Sequence, residues 1–361
     1  MTLERLQETC DMLRTIIRIL QLSKRLQDQL GSGGSGQEIA KAALSLHELS
    51  QLWSPDLTGI DVIEQDQRAI LHAKADVEKN ADGMMARGLE ARNQNQVGVA
   101  VQVFKNLSIL EVKLKGCLQS RLSYLNSKLA DALDVKAITS QAEEAKTKAS
   151  SSSTASTPGP GRAAMPVPGN MATFRAILWN NLENVLDAVY EKNCEMVCLQ
   201  RLLCKKRDTV THSLFVDLLP EQSRQLLQVF WDGVVRLMEK RLASASGDSN
   251  FLRQALEGEY PKLLRLFNDL WSRLHTAGVE ANSSDSSVAP CKNPFCSAAM
   301  DAGLRETLGA FERAYLSRSL SRLFDPVNLM FSSSGDDIPN ETDLHQIFKV
   351  QKEKFDCLPS L

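Results

Sequence analysis

EGEYPKLLRLFNDLWSRL, residues 257–274, decides the fold class. Leu263, Phe267, Leu270, Trp271 and Leu274 recur at steps of three and four, which gathers them into one apolar stripe on a helix. Pro261 has no amide proton and clashes one turn back, so with Gly258 beside it the helix should kink or restart there. A second stretch, FERAYLSRSLSRLFDPVNLMF at 311–331, repeats the pattern. Leu316, Leu320, Leu323 and Phe324 share a stripe that reads as a packed face, and Arg318 and Arg322 lie away from it. Asp325-Pro326 should stop that helix, because a residue before proline is pushed out of the α region.

The rest of the chain agrees with helix. Aromatics are 6% of 361 residues, and no alternating strand pattern with hairpin turn signals stands out. A formal net charge of −2 argues against a nucleic-acid binder, which needs a concentrated basic face. No apolar run reaches the length of a membrane span; the best, around Ile16 to Leu22, is flanked and broken by Arg14, Arg18 and Lys24. The charged N-terminus does not read as a secretory signal. A cytosolic home is therefore expected, with the eight cysteines unpaired and the sequons at Asn106, Asn282 and Asn340 unused.

Residues 1–30 read as a coiled-coil-like helix. Leu3, Leu6, Cys10, Leu13, Ile17 and Leu20 form a narrow seam of nearly three heptads, which must be buried either within this chain or against a partner. Gly31 to Gly36 satisfies a three-glycine nucleotide pattern, but a helix precedes it and no acidic residue on a second strand follows, so it reads as a flexible linker. Residues 37–135 form a first helical bundle: a short helix to Trp53, another from a Thr58/Asp61 capping pair towards Glu90, one from Asn93 to Asn106, and one opened by Ser108 and Glu111. At 136–173 the periodicity dissolves into serine, proline and glycine, the composition of a disordered linker. A second bundle fills 174–331, with Pro220 opening one of its helices and 277–300 a polar loop; 332–361 reads as a poorly ordered tail. The layout predicts an all-α chain of stacked antiparallel helical bundles with a disordered internal linker.

Several blocks resemble a known family. The opening MTLERLQETCDMLRTIIRILQLSKRLQ, GLEARNQNQVGVAVQVFKNLSIL at 88–110, PGNMATFRAILWNNLENVLDAVY at 168–190 and the two stretches above are similar to subunit 5 of the conserved oligomeric Golgi complex, a multisubunit vesicle tether. The resemblance runs to about residue 345 and fails in the tail QKEKFDCLPSL, where a different carboxyl end is expected. It implies a longer parent protein, with residues 2–30 the stub of a longer partner-binding helix. It also implies an elongated rod of tethering-complex type, acting in intra-Golgi retrograde transport and Golgi organisation. Peripheral attachment to the cytosolic face of Golgi membranes follows, with other subunits as partners, above all subunit 7, and fusion proteins and small GTPases as wider contacts.

The candidate partner-binding residues are Leu3, Leu6, Leu13, Ile17 and Leu20. No catalytic, cofactor-binding or metal-binding residue is expected. The five histidines are scattered, and Cys194, Cys198 and Cys204 fit a helix better than a zinc site completed by Cys291 and Cys296. No serine elbow, phosphate loop or paired-carboxylate signature appears, so an enzyme is not expected. Two rivals remain: a subunit of a related helical tether at another membrane, and a basic amphipathic surface at 201–207 and 313–322 that binds acidic lipid.

Overall fold

The computed structural model describes residues 2–31, 36–53, 61–150, 171–283, 298–331 and residue 345. The described residues form α1 (Thr2–Gly31), α2 (Gly36–Leu52), α3 (Asp61–Glu90), α4 (Gln94–Asn106), α5 (Leu110–Leu133), α6 (Val135–Ser150), α7 (Met171–Lys205), α8 (Leu226–Asp248), α9 (Asn250–Gly258), α10 (Tyr260–Ser283) and α11 (Ala298–Phe331). One isolated antiparallel bridge, Arg207 to Leu214, is the extended pairing found among them. The all-α expectation holds.

The chain divides into two compact units, one drawn from Met1–Arg121 and Asn193–Val229, the other from Leu122–Lys192, Phe230–Ser286 and the stretch carrying α11. In the first, α4 is the centre. Val97, Ala100, Val101, Val103 and Phe104 are all at most 1% exposed, so this helix is covered on nearly every side. Two tight turns place it. Arg92 (φ 53°) and Ser108 (φ 60°) each sit in the left-handed region just past a helix end. After α3, the amides of Arg92 and Asn93 return to the carbonyls of Leu89 and Gly88; after α4, those of Ser108 and Ile109 return to Lys105 and Phe104. Each pair is a Schellman closure that satisfies orphan carbonyls. Asn93 then caps α4, its Oδ1 accepting from the amides of Asn95 (3.0 Å) and Gln96 (3.3 Å). Gly88 lets α3 and α4 meet: a Cβ there would lie 2.9 Å from a methyl of Val97.

The second unit is packed through aromatic side chains. Phe174 of α7 meets Phe251 of α9 edge-on at 6.1 Å, and Trp231 of α8 lies 6.0 Å from Trp271 of α10. Leu263, Phe267, Leu270 and Leu274 are buried, as the stripe requires. The helix does restart where Gly258 and Pro261 place the break, at Glu259 (φ −110°, ψ 31°). Glu259 accepts from Trp179 Nε1 at 2.7 Å and pairs with Arg175 at 3.3 Å, while Glu257 pairs with Arg318.

Several sequence expectations are corrected. The linker expected from 136 begins as helix: α6 buries Ile138 and Ala142, four residues apart, and Asp134 Oδ1 accepts from the Lys136 amide at 2.9 Å at its start. Ser108 does not open α5, because its left-handed backbone commits it to closing α4. Pro220 opens a single 3-10 turn, Glu221–Ser223, before α8. The loop expected from 277 is helical to Ser283, since a run of polar residues still propagates a helix already nucleated. Nor does Pro326 stop α11, because proline removes one rung while turns on both sides are retained.

The α11 stripe is also not the packed face expected. Leu304, Leu308 and Phe311 bury, whereas Leu316, Leu320 and Phe324 are exposed, so the apolar face changes sides along the helix. The thiols need one correction as well. Cys10, Cys117, Cys194 and Cys198 are free, with Cys10 exposed, but Cys204 is disulfide-bonded. The expected turn at 54–56, the glycine linker at 32–35, Thr58, Cys291 and Cys296, the serine-rich run at 151–170 and the tail at 332–361 (except residue 345) lie outside the described residues.

Candidate partner-docking surface

Helix α1 has two apolar stripes, and its own fold uses one of them. Ile19, Leu22 and Leu26 are at most 2% exposed, and Ser23 is buried beside them, its neighbours lying on α2 and α3. Ile19 stands two positions after Ile17, and Leu22 two after Leu20, a rotation of about 200° at 100° per residue. The seam residues therefore lie on the side opposite the core. Leu3, Leu6, Leu13, Ile17 and Leu20 are all exposed, from 76% at Leu3 to 37% at Leu20. All five share one face, and Cys10, also exposed, falls in the same line.

From Leu3 to Arg14 every residue of α1 is exposed on every face. That segment therefore buries no side chain against its own unit. Local bonds hold its surface: Arg14 pairs with Asp11 at 2.9 Å, and the Thr9 and Thr15 hydroxyls donate back to carbonyls at 2.6 Å and 2.9 Å. Arg18 reaches Glu48 of α2 at 3.2 Å, marking where the helix joins its bundle. By heptad position the flanks of the seam that its own core leaves uncovered carry Gln7, Arg14 and Gln21 on one side and Thr9 and half-buried Ile16 on the other. One charge among five is a nearly neutral rim, suited to covering by another helix and poor for steering a charged partner.

The other sequence candidates are engaged differently. Lys206 of the basic run lies across Gly98, and Arg207 donates to the His212 carbonyl at 3.0 Å. Arg313 Nε donates to the Gly309 carbonyl at 3.1 Å, and Arg318 is held by Glu257. Asn106 is buried, its amide donating to the Ala40 carbonyl at 2.9 Å. Among the described residues no three His, Cys, Asp or Glu side chains gather as a metal site. Burial pushes the thiols of Cys117 and Cys198 up, away from the thiolate a nucleophile needs.

Sequence reading missed one cluster. Asp208, with 1% of its surface exposed, accepts from Gln102 Nε2 at 2.6 Å, the Thr211 amide at 2.9 Å and the Thr211 hydroxyl at 2.7 Å, and pairs with Lys105 Nζ at 2.6 Å. Burial alone would raise its pKa; the hydrogen bonds from Gln102, Lys105 and Thr211 outweigh it and hold the carboxyl well below the usual range. The local sequence Asp208-Thr-Val-Thr carries a turn signal, but nothing in it points to Gln102, 106 positions earlier.

An all-helical chain that leaves an apolar helix face exposed among its described residues is the class these features define. Residues 57–271 match the family described as conserved oligomeric Golgi complex subunit 5, C-terminal, and the chain belongs to that family. It is 41% identical over 370 residues to conserved oligomeric Golgi complex subunit 5 of Mus musculus, covering 96% of this chain and 43% of that protein. The Arabidopsis thaliana protein of the same name is 27% identical, over 99% of this chain and 41% of the relative. The chain thus spans less than half the length of these curated relatives. Among solved structures it is similar to a chain of the Cog5-Cog7 complex from Kluyveromyces lactis, with a TM-score of 0.54 at 12% identity over 86% of this chain and 94% of that one. That likeness speaks to the fold alone.

Proposed function

We propose that this chain is a non-enzymatic scaffold subunit of a Golgi vesicle-tethering complex, acting in intra-Golgi retrograde transport through helix–helix contacts. Its family supports the setting, and the Kluyveromyces lactis neighbour was crystallised as a Cog5-Cog7 complex. Subunit 7 is accordingly the first partner of the proposal, with the complex's other subunits, fusion proteins and small GTPases as wider contacts. Attachment to the cytosolic face of the Golgi is peripheral in this reading. No helix among the described residues is long and apolar enough to cross a membrane.

The observation that carries the mechanism is the seam of α1. Leu3, Leu6, Leu13, Ile17 and Leu20 are exposed on the side away from their own core. Burying five such side chains is worth about 7–15 kcal/mol in all. Immobilising a partner costs about 4–15 kcal/mol. The balance is small, so the seam works as one contact among several in an assembly and not as a tight site by itself.

Co-precipitation with purified subunit 7 tests this, comparing the full chain with one lacking residues 3–14, all of which are exposed. Association should fall at least tenfold on truncation. Unchanged association would remove α1 from the interface.

A further inference from the structure

The Asp208 cluster anchors a hairpin with an exposed tip. Between α7 and the 3-10 turn, Arg207 pairs with Leu214, the Asp208 amide donates to the Ser213 carbonyl at 2.9 Å, and the His212 amide donates to the Asp208 carbonyl at 3.0 Å. Thr209 adds an amide bond to Gln102 Oε1 at 3.3 Å. The root is thereby fixed to α4, the most buried helix of its unit, and a Cβ on Gly98 would collide with the Lys206 side chain laid across it. The tip is bare: Thr209, Val210, Thr211 and His212 are exposed, Val210 by 53%, and His212 holds the left-handed backbone (φ 56°).

A connection between two helices does not need a buried carboxylate with four donors. Such over-determined turns are a means of presenting side chains in one geometry, which lowers the ordering cost of binding. The charge nearest this tip along the chain is basic: Lys206 and Arg207 are exposed and Asp208 is buried, while the next acid, exposed Asp217, lies beyond the hairpin. A membrane surface would need a larger apolar face than one valine. We propose that the 206–214 hairpin is a preformed docking knuckle for an acidic segment of a partner protein, seating one apolar side chain against Val210 between Lys206 and Arg207. This surface is separate from the α1 seam and does not depend on it.

The test uses the full chain and a fluorescein-labelled peptide of alternating Glu and Leu, with a Lys/Leu peptide and phosphatidylserine vesicles as comparisons. The acidic peptide should bind at low ionic strength and weaken as salt rises. Val210→Asp, exposed and so expected to leave the unfolding midpoint unchanged, should weaken it at least tenfold, as should Arg207→Glu, which also removes the bond to the His212 carbonyl, while Leu13→Gln should not. Absence of acidic-peptide binding, equal binding of the Lys/Leu peptide, indifference to both substitutions, or vesicle binding lost with them in place of peptide binding would each overturn the proposal.

Discussion

Helices α4 and α1 belong to the same unit and use apolar residues to opposite ends. In α4 the apolar side chains are surrounded, and even its polar Gln102 and Asn106 are buried and bonded to each other at 2.8 Å. In α1 the stripe through Ile19, Leu22 and Leu26 is covered, and the seam from Leu3 to Leu20 faces away. The lesson is that hydrophobic periodicity identifies a helix face without saying whose surface covers it. A helix with one stripe is part of a core. One with two opposed stripes has a side left over, and α11 shows the same switch between Phe311 and Leu316.

Substitutions can break this contrast in order of size. Phe104→Ala in α4 should cost about 3–5 kcal/mol, read by denaturant unfolding, because the cavity is enclosed on all sides. Next comes Asp208→Asn, at about 2–3 kcal/mol near neutral pH, since Lys105 loses its counter-charge and Thr211 its acceptor. Its pH dependence has a definite sign. The folded carboxyl has a depressed pKa, so its contribution is complete above the unfolded aspartate value of about 4 and is lost as pH falls through the lower folded value. The stability gap between parent and Asp208→Asn should therefore narrow below about pH 4, measured by thermal unfolding across that range. Asn93→Ala, which removes the cap of α4, should cost about 1 kcal/mol. Smallest is Leu6→Gln with Leu13→Gln: less than about 0.5 kcal/mol of stability, because both are exposed and glutamine suits a helix. Equal destabilisation by the α1 and α4 substitutions would erase the distinction.

Much of the fold was legible because its signals are local. The seam of α1, the helix from Asn93 to Asn106 and the restart between Gly258 and Pro261 each depend on residues within a few turns. What stayed hidden needed tertiary context. Ser108 reads as a cap, but its left-handed backbone closes the preceding helix instead. Ile138 and Ala142 give too faint a period to announce α6 before they are seen buried. The stripe at Leu316, Leu320 and Phe324 looked like core because periodicity carries no sign for inside or outside. The spacing of the α1 candidates places them on one helical face, yet the opposed packing of Ile19 and Leu22 could be learned from the structure alone.

Hydrogen exchange along residues 3–14 is the most direct test of that leftover side. With every side chain from Leu3 to Arg14 exposed, the amides of this segment should exchange rapidly in the isolated chain, and they should become protected when purified subunit 7 is added. Strong protection in the isolated chain, or rapid exchange that subunit 7 leaves unchanged, would contradict the account.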